Sequence, residues 1–154
     1  SLTLLQTGKG GPRPIILFSD KKDDYWDDFR AFISKQLVKN NYVTPADEFL
    51  FKLVHTPEEA VHEIESFYKV YHSIKYYKKL AIMRFNKELD DAVLRYLNKE
   101  YKDLLKSGKF ERSAPLAFEA EQKIFLNKTR LVFHFNKISY GRLIDLIRFI
   151  NQNQ

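Results

Sequence analysis

The sequence has no cysteine, one methionine (Met83), one tryptophan (Trp26), and only five glycines and five prolines among 154 residues. Without cysteine, disulfide frameworks and thiolate metal sites are excluded, which is compatible with a reducing cytoplasm, the expected compartment, without establishing it. No stretch approaches the ~20 consecutive apolar residues of a membrane-spanning helix, and no signal-peptide pattern is visible, so no membrane partner is expected. Internal repeats and low-complexity tracts are also missing. So is a glycine-rich loop set between a strand and a helix, the order that lets backbone N–H groups converge on a phosphate. The one glycine cluster, "TGKGG" at 7–11, follows the apolar helical stretch of Leu2, Leu4 and Leu5 and precedes the short apolar strand Ile15 to Phe18. That order turns carbonyl groups toward the loop. The cluster therefore reads as a connector, with Pro12 and Pro14 barring the helix from continuing.

What is present suffices for one compact domain or two small ones: 44% of residues are hydrophobic and 15% aromatic. Lys and Arg number 26 against 20 Asp and Glu, for a net charge of +6. That excess would suit a nucleotide or nucleic-acid partner without requiring one, and the charges are interspersed with acids, not blocked. The first helix has an end but no capped beginning before Leu2, and the methionine lies at 83, so a fragment of a longer chain is expected.

Periodicity divides the chain in two. Trp26, Phe29, Phe32, Ile33 and Leu37 recur at helical spacing, a turn opens at Thr44–Pro45, and a strand is expected near Phe51 to His55. "TPEE" then places Thr56 at an N-cap, Pro57 at the first helical position and Glu59 where it closes a capping box. The helix behind it, through Ile64, Phe67, Tyr68 and Tyr71, is expected to reach about His72. Residues 1–74 thus alternate helix and strand as a parallel α/β layer does. Residues 75–154 follow a different rhythm. "KLAIMRF" and "RLVFHF" alternate as strands, and an amphipathic helix through Val93, Leu97, Tyr101, Leu104 and Leu105 closes at Gly108. A weaker extended stretch spans 110–116, and Ser139 caps a last helix. The expected class is α/β: the C-terminal half of a Rossmann-like parallel layer, then a small β-α-β-β-α module like part of a ferredoxin-like fold.

The stretches "SLTLLQTGKGGPRPIILFSDKKDDYWDDF" and "NNYVTPADEFLFKLVHTPEEAVHEI" resemble the second half of LONELY GUY-type proteins, also known as the lysine decarboxylase-like family. The resemblance covers residues 1–66, and the "FYKVYHSIKYY" continuation is similar to a longer bacterial subgroup. It implies hydrolysis of the N-glycosidic bond of nucleoside 5′-monophosphates, releasing the base and ribose 5-phosphate, in a homo-oligomer. The family's Pro-Gly-Gly-x-Gly-Thr-x-x-Glu motif and its partner arginine are not in this sequence, and the pattern places that glutamate a few residues before Ser1. No catalytic residue, cofactor or metal is therefore assigned here, and these 154 residues alone are expected to be inactive. Gln6 and Thr7 at the helix end, and Tyr25 and Trp26 near the base, are the candidate substrate-binding residues. The alternative is a non-catalytic module that binds nucleotide, nucleic acid or protein.

Other features have plainer readings. His55, His62, His72 and His134 match no metal-binding spacing. The acid pairs Asp23–Asp24, Glu58–Glu59 and Asp90–Asp91 fall at helix starts, where negative charge offsets the dipole. The interleaved aromatics and bases of "FYKVYHSIKYYKK" fit packing better than stacking on nucleic acid, with Tyr76 and Tyr77 left to bridge the two modules. Arg84, Arg130 and His134 are expected on one face of the C-terminal sheet, opposite Met83, Phe133 and Phe135. Solvation, a regulatory anion or a subunit contact would each suit that basic face.

Overall fold

Ile16, Leu17 and Phe18 are extended as β1 (Ile16–Phe18), and Lys52 to Val54 as β2 (Lys52–Val54), lying parallel with Phe18 opposite Val54. The computed structural model describes residues 1–20 and 23–154. The polar loop expected after β1 includes Lys21 and Lys22, which lie outside the described residues. Two compact units emerge: Ser1–Phe67 with Ile138–Asp145, and Tyr68–Lys137 with Leu146–Gln154. The architecture is mixed α/β, with a two-stranded parallel sheet and a four-stranded antiparallel one.

In the first unit, α1 (Leu2–Gln6) stops ahead of Gly8, whose φ of +69° a side chain would resist. A Cβ there would also lie 2.0 Å from the Tyr140 ring. α2 (Tyr25–Phe32) continues to Val38 in wider π-type turns. A 3-10 turn over Pro45–Leu50 is capped by Asp47, whose Oδ2 accepts from the Thr44 N–H at 2.8 Å. α3 (Pro57–Tyr68) begins at the expected cap, the Glu59 N–H donating to Thr56 Oγ1 at 3.2 Å. The returning bond goes from the His55 N–H to Glu59 Oε2 at 2.7 Å, one residue earlier than a capping box would have it.

The second unit orders its strands β3-β4-β6-β5, with β3 (Tyr71–Tyr77), β4 (Leu80–Phe85), β5 (Leu105–Ser113) and β6 (Thr129–Phe135). Its helices are α4 (Asp91–Glu100), α5 (Ala117–Glu121) and the second part of α6 (Tyr140–Gln152). Ala81 opposite Phe133 and Met83 opposite Leu131 share one buried face. Arg84 opposite Arg130 lies on the other. Among the described residues no helix is long and apolar enough to cross a membrane.

Two helices are shorter than their periodicity predicts. α3 ends at Tyr68, not His72, because the Val70 and Tyr71 N–H groups donate to the buried Asn151 Oδ1, at 2.7 and 3.0 Å, instead of to helix carbonyls. The released residues form β3, a strand the sequence reading lacked; there Tyr77 stacks on Phe118 at 4.1 Å and Tyr76 on Phe135 at 6.2 Å, all within the second unit. The helix expected to close at Gly108 ends at Glu100; the extended stretch expected over 110–116 is β5, which begins earlier, at Leu105, and ends at Ser113. Gly108 (φ +75°) sits in that strand's irregular register instead of capping a helix. Asn98 grips the Phe110 backbone, accepting its N–H at 2.9 Å and donating to its carbonyl at 3.0 Å.

Candidate functional site

The four residues expected to touch substrate are all in the first unit. Gln6 ends α1 and donates through Nε2 to Asp47 Oδ2 at 3.1 Å. It lines an apolar pocket of about 170 Å³ with Leu2, Phe29, Ile33, Leu50 and Phe51. Thr7 is exposed and does not line that pocket; its hydroxyl donates to the Thr3 carbonyl at 2.7 Å. Tyr25, 65% exposed, opens α2 beside Trp26 with ring centroids 4.9 Å apart, and Trp26 in turn packs edge-on against Phe29 at 5.6 Å.

A second pair stands out on physical grounds. Ser19 follows β1 and His55 follows β2, so they sit side by side at the carboxyl ends of two parallel strands. The Ser19 N–H continues the ladder, donating to the Val54 carbonyl at 3.2 Å. Both side chains present a buried polar atom, Ser19 Oγ and His55 Nδ1, with no hydrogen-bond partner among the described residues. Ser19 is only 4% exposed. Buried polar atoms are nearly always paired, and an orphan at a strand end marks unmet bonding capacity. The crevice beyond the carboxyl ends of parallel strands is where open α/β sheets take ligands. No sequence motif marks Ser19; only its position after "PIILF", at the end of a predicted strand, points to it.

The basic face expected on the second unit's sheet exists, but its two arginines are not solvated, and only His134 is half-buried. Arg84 and Arg130 are 3% and 2% exposed and both reach Glu119, which is fully buried. Arg84 donates to Oε1 through Nε at 2.9 Å and Nη2 at 2.6 Å. Arg130 donates to Oε2 through Nε at 3.0 Å, and the Leu116 N–H donates to the same oxygen at 3.2 Å. Burial pushes the Glu119 carboxyl up, but the bonds from Arg130 and Arg84 outweigh it and hold the group below the usual carboxylate range. Beside it, His72 Nδ1 shares a hydrogen bond with Ser73 Oγ at 2.8 Å, and Phe125 meets the His72 ring edge-on at 4.6 Å. Sequence reasoning found the arginines from strand alternation and missed Glu119, because nothing local distinguishes it from a surface helix residue.

Among the described residues no group of three or more His, Asp or Glu is placed to hold a metal ion. Compared with protein-family models, curated proteins and solved structures, the chain matches none.

Proposed function

We propose that this chain forms the C-terminal part of a LONELY GUY-type nucleoside 5′-monophosphate phosphoribohydrolase, its first unit completing a Rossmann-like layer. The nucleotide lies across the carboxyl ends of β1 and β2. The observation that carries this reading is the juxtaposition of Ser19 and His55 there, each with a buried polar atom lacking a partner among the described residues. A nucleotide offers hydroxyls, ring nitrogens and exocyclic groups that satisfy both. The phosphate loop and the glutamate that assists water attack come from residues outside these 154, since the motif is not in the sequence. The oxocarbenium-like sugar of the reaction needs that carboxylate, and no carboxylate here is assigned the task.

Base release from a nucleoside 5′-monophosphate tests the reading, measured on this chain and on one extended through the residues encoded upstream. The expected result is no turnover by the 154-residue chain and turnover by the extended one. Ser19→Ala in the extended chain is expected to weaken substrate binding about tenfold, the usual worth of one buried hydrogen bond. Turnover by this chain alone would overturn the placement of the catalytic groups. An inactive extended chain carrying the motif would overturn the reaction itself.

A further inference from the structure

In the second unit, the loop after β4, the end of β5 and the start of β6 enclose a pocket of about 360 Å³, within the ~300–1,000 Å³ range of small-molecule sites. Arg112, Lys128 and Arg130 line it, and Glu88 is the one acid among the lining residues. Behind the wall, two guanidinium groups, Arg84 and Arg130, share the single carboxylate of Glu119. The remaining Arg130 donors go to the Lys128, Ile124 and Phe125 carbonyls. Among the described residues, one positive charge of the trio is left without a counter-ion, in surroundings where its field is screened less than in water.

The two cations nearer the opening are held differently. Lys128 donates to the neutral Asn86 Oδ1 at 2.9 Å and pairs with no carboxylate among the described residues. Arg112 also pairs with Asp91 at 2.6 Å, itself 72% exposed, and donates to the Leu89 carbonyl at 2.5 Å. Among the described residues the one carboxylate near its Nη1 is that of Glu88, 4.0 Å away and 72% exposed. A solvated pair at that distance contributes little and yields readily to a better anion. His72 registers the same positive field: burial first, then Lys128 and Arg84, hold its imidazole below the ordinary histidine value.

We propose that this pocket binds a small phosphate monoester, its phosphate gripped by Lys128 and Arg112 with the Arg84–Arg130 pair behind it. The charge selects the class. A monoester carries close to two negative charges at neutral pH, which matches the lysine that meets no carboxylate among the described residues plus the unneutralised guanidinium. A diester in a nucleic-acid backbone carries one per phosphate and calls for a basic track, whereas these cations converge on one cavity.

Titration calorimetry with inorganic phosphate and with glycerol 3-phosphate at pH 8, against sodium chloride at equal ionic strength, tests the site. Both phosphates are expected to bind saturably and chloride is not. Lys128→Gln is expected to weaken binding about tenfold, as loss of a charge-assisted bond does. Glu88→Gln is expected to strengthen it about threefold by removing a competing surface charge. Both side chains are at least partly exposed, so the fold should survive either change. Unchanged affinity in Lys128→Gln, or equal heats from phosphate and chloride, overturns the proposal, as does binding of inorganic phosphate with exclusion of the ester. Loss of binding in Ser19→Ala instead would place the phosphate in the first unit, overturning this site while leaving the proposed function standing.

Discussion

Glutamine in place of Glu119 keeps the side chain's shape but withdraws the charge shared by Arg84 and Arg130, leaving two buried guanidinium groups facing each other across β4 and β6. Breaking a buried ion pair from one side costs about 3–5 kcal/mol, so Glu119→Gln is expected to lose that much in urea unfolding at pH 7. The same residue sets an acid limit. Its carboxyl is depressed in the folded state, so the stabilisation is complete above the ordinary glutamate value of about 4.3. It is lost as pH falls through the lower folded value. Stability measured from pH 6 downward should therefore fall less steeply in Glu119→Gln than in the parent chain. Gly141 is a residue-scale constraint of another kind. A Cβ there would lie 2.0 Å from the Ala46 carbonyl oxygen, so Gly141→Ala is expected to cost about 1–3 kcal/mol by overpacking. An unchanged melting temperature would refute that.

Among the elements, those with local punctuation were legible. Thr56, Pro57 and Glu59 mark the start of α3, and Gly8 the end of α1, because caps and left-handed glycines act within one turn of chain. The end of α3 was not legible, since Asn151, about 80 residues away in sequence, takes the amides that would have continued it. Asn151→Ala strands two buried N–H groups at that junction. A loss of about 2–6 kcal/mol is expected, at about 1–3 for each orphan, with faster amide exchange at Val70 and Tyr71 as the local signature. The same holds where Asn98 fastens the Phe110 backbone. A helical pattern through Leu104 and Leu105 was overridden there by pairing with β6.

Over the whole molecule, α6 is the element both units draw on. Leu143 and Ile144 are buried residues of the first unit, and Leu146, Ile147 and Ile150 of the second. Each such side chain contributes about 1.5–3 kcal/mol by burial, against the roughly 5–15 kcal/mol that holds a typical domain folded. A chain ended after Lys137 is expected to lose dispersed amide and methyl NMR signals from both units. Retention of a native spectrum in either one would show that unit to be independent of the helix.

Local order sufficed to read the mixed α/β character, the strands around Ile16–Phe18, Leu80–Phe85 and Thr129–Phe135, and the placing of Arg84 and Arg130 on one sheet face. These follow from alternation and capping, which span a few residues. Tertiary structure alone decided that Arg84 and Arg130 are buried instead of wet, that β3 is a strand, and that Ser19 and His55 end side by side with polar atoms unpaired among the described residues. Each of those depends on a partner distant in sequence, Glu119, Asn151 or a neighbouring parallel strand, and no local periodicity carries the identity of a distant partner.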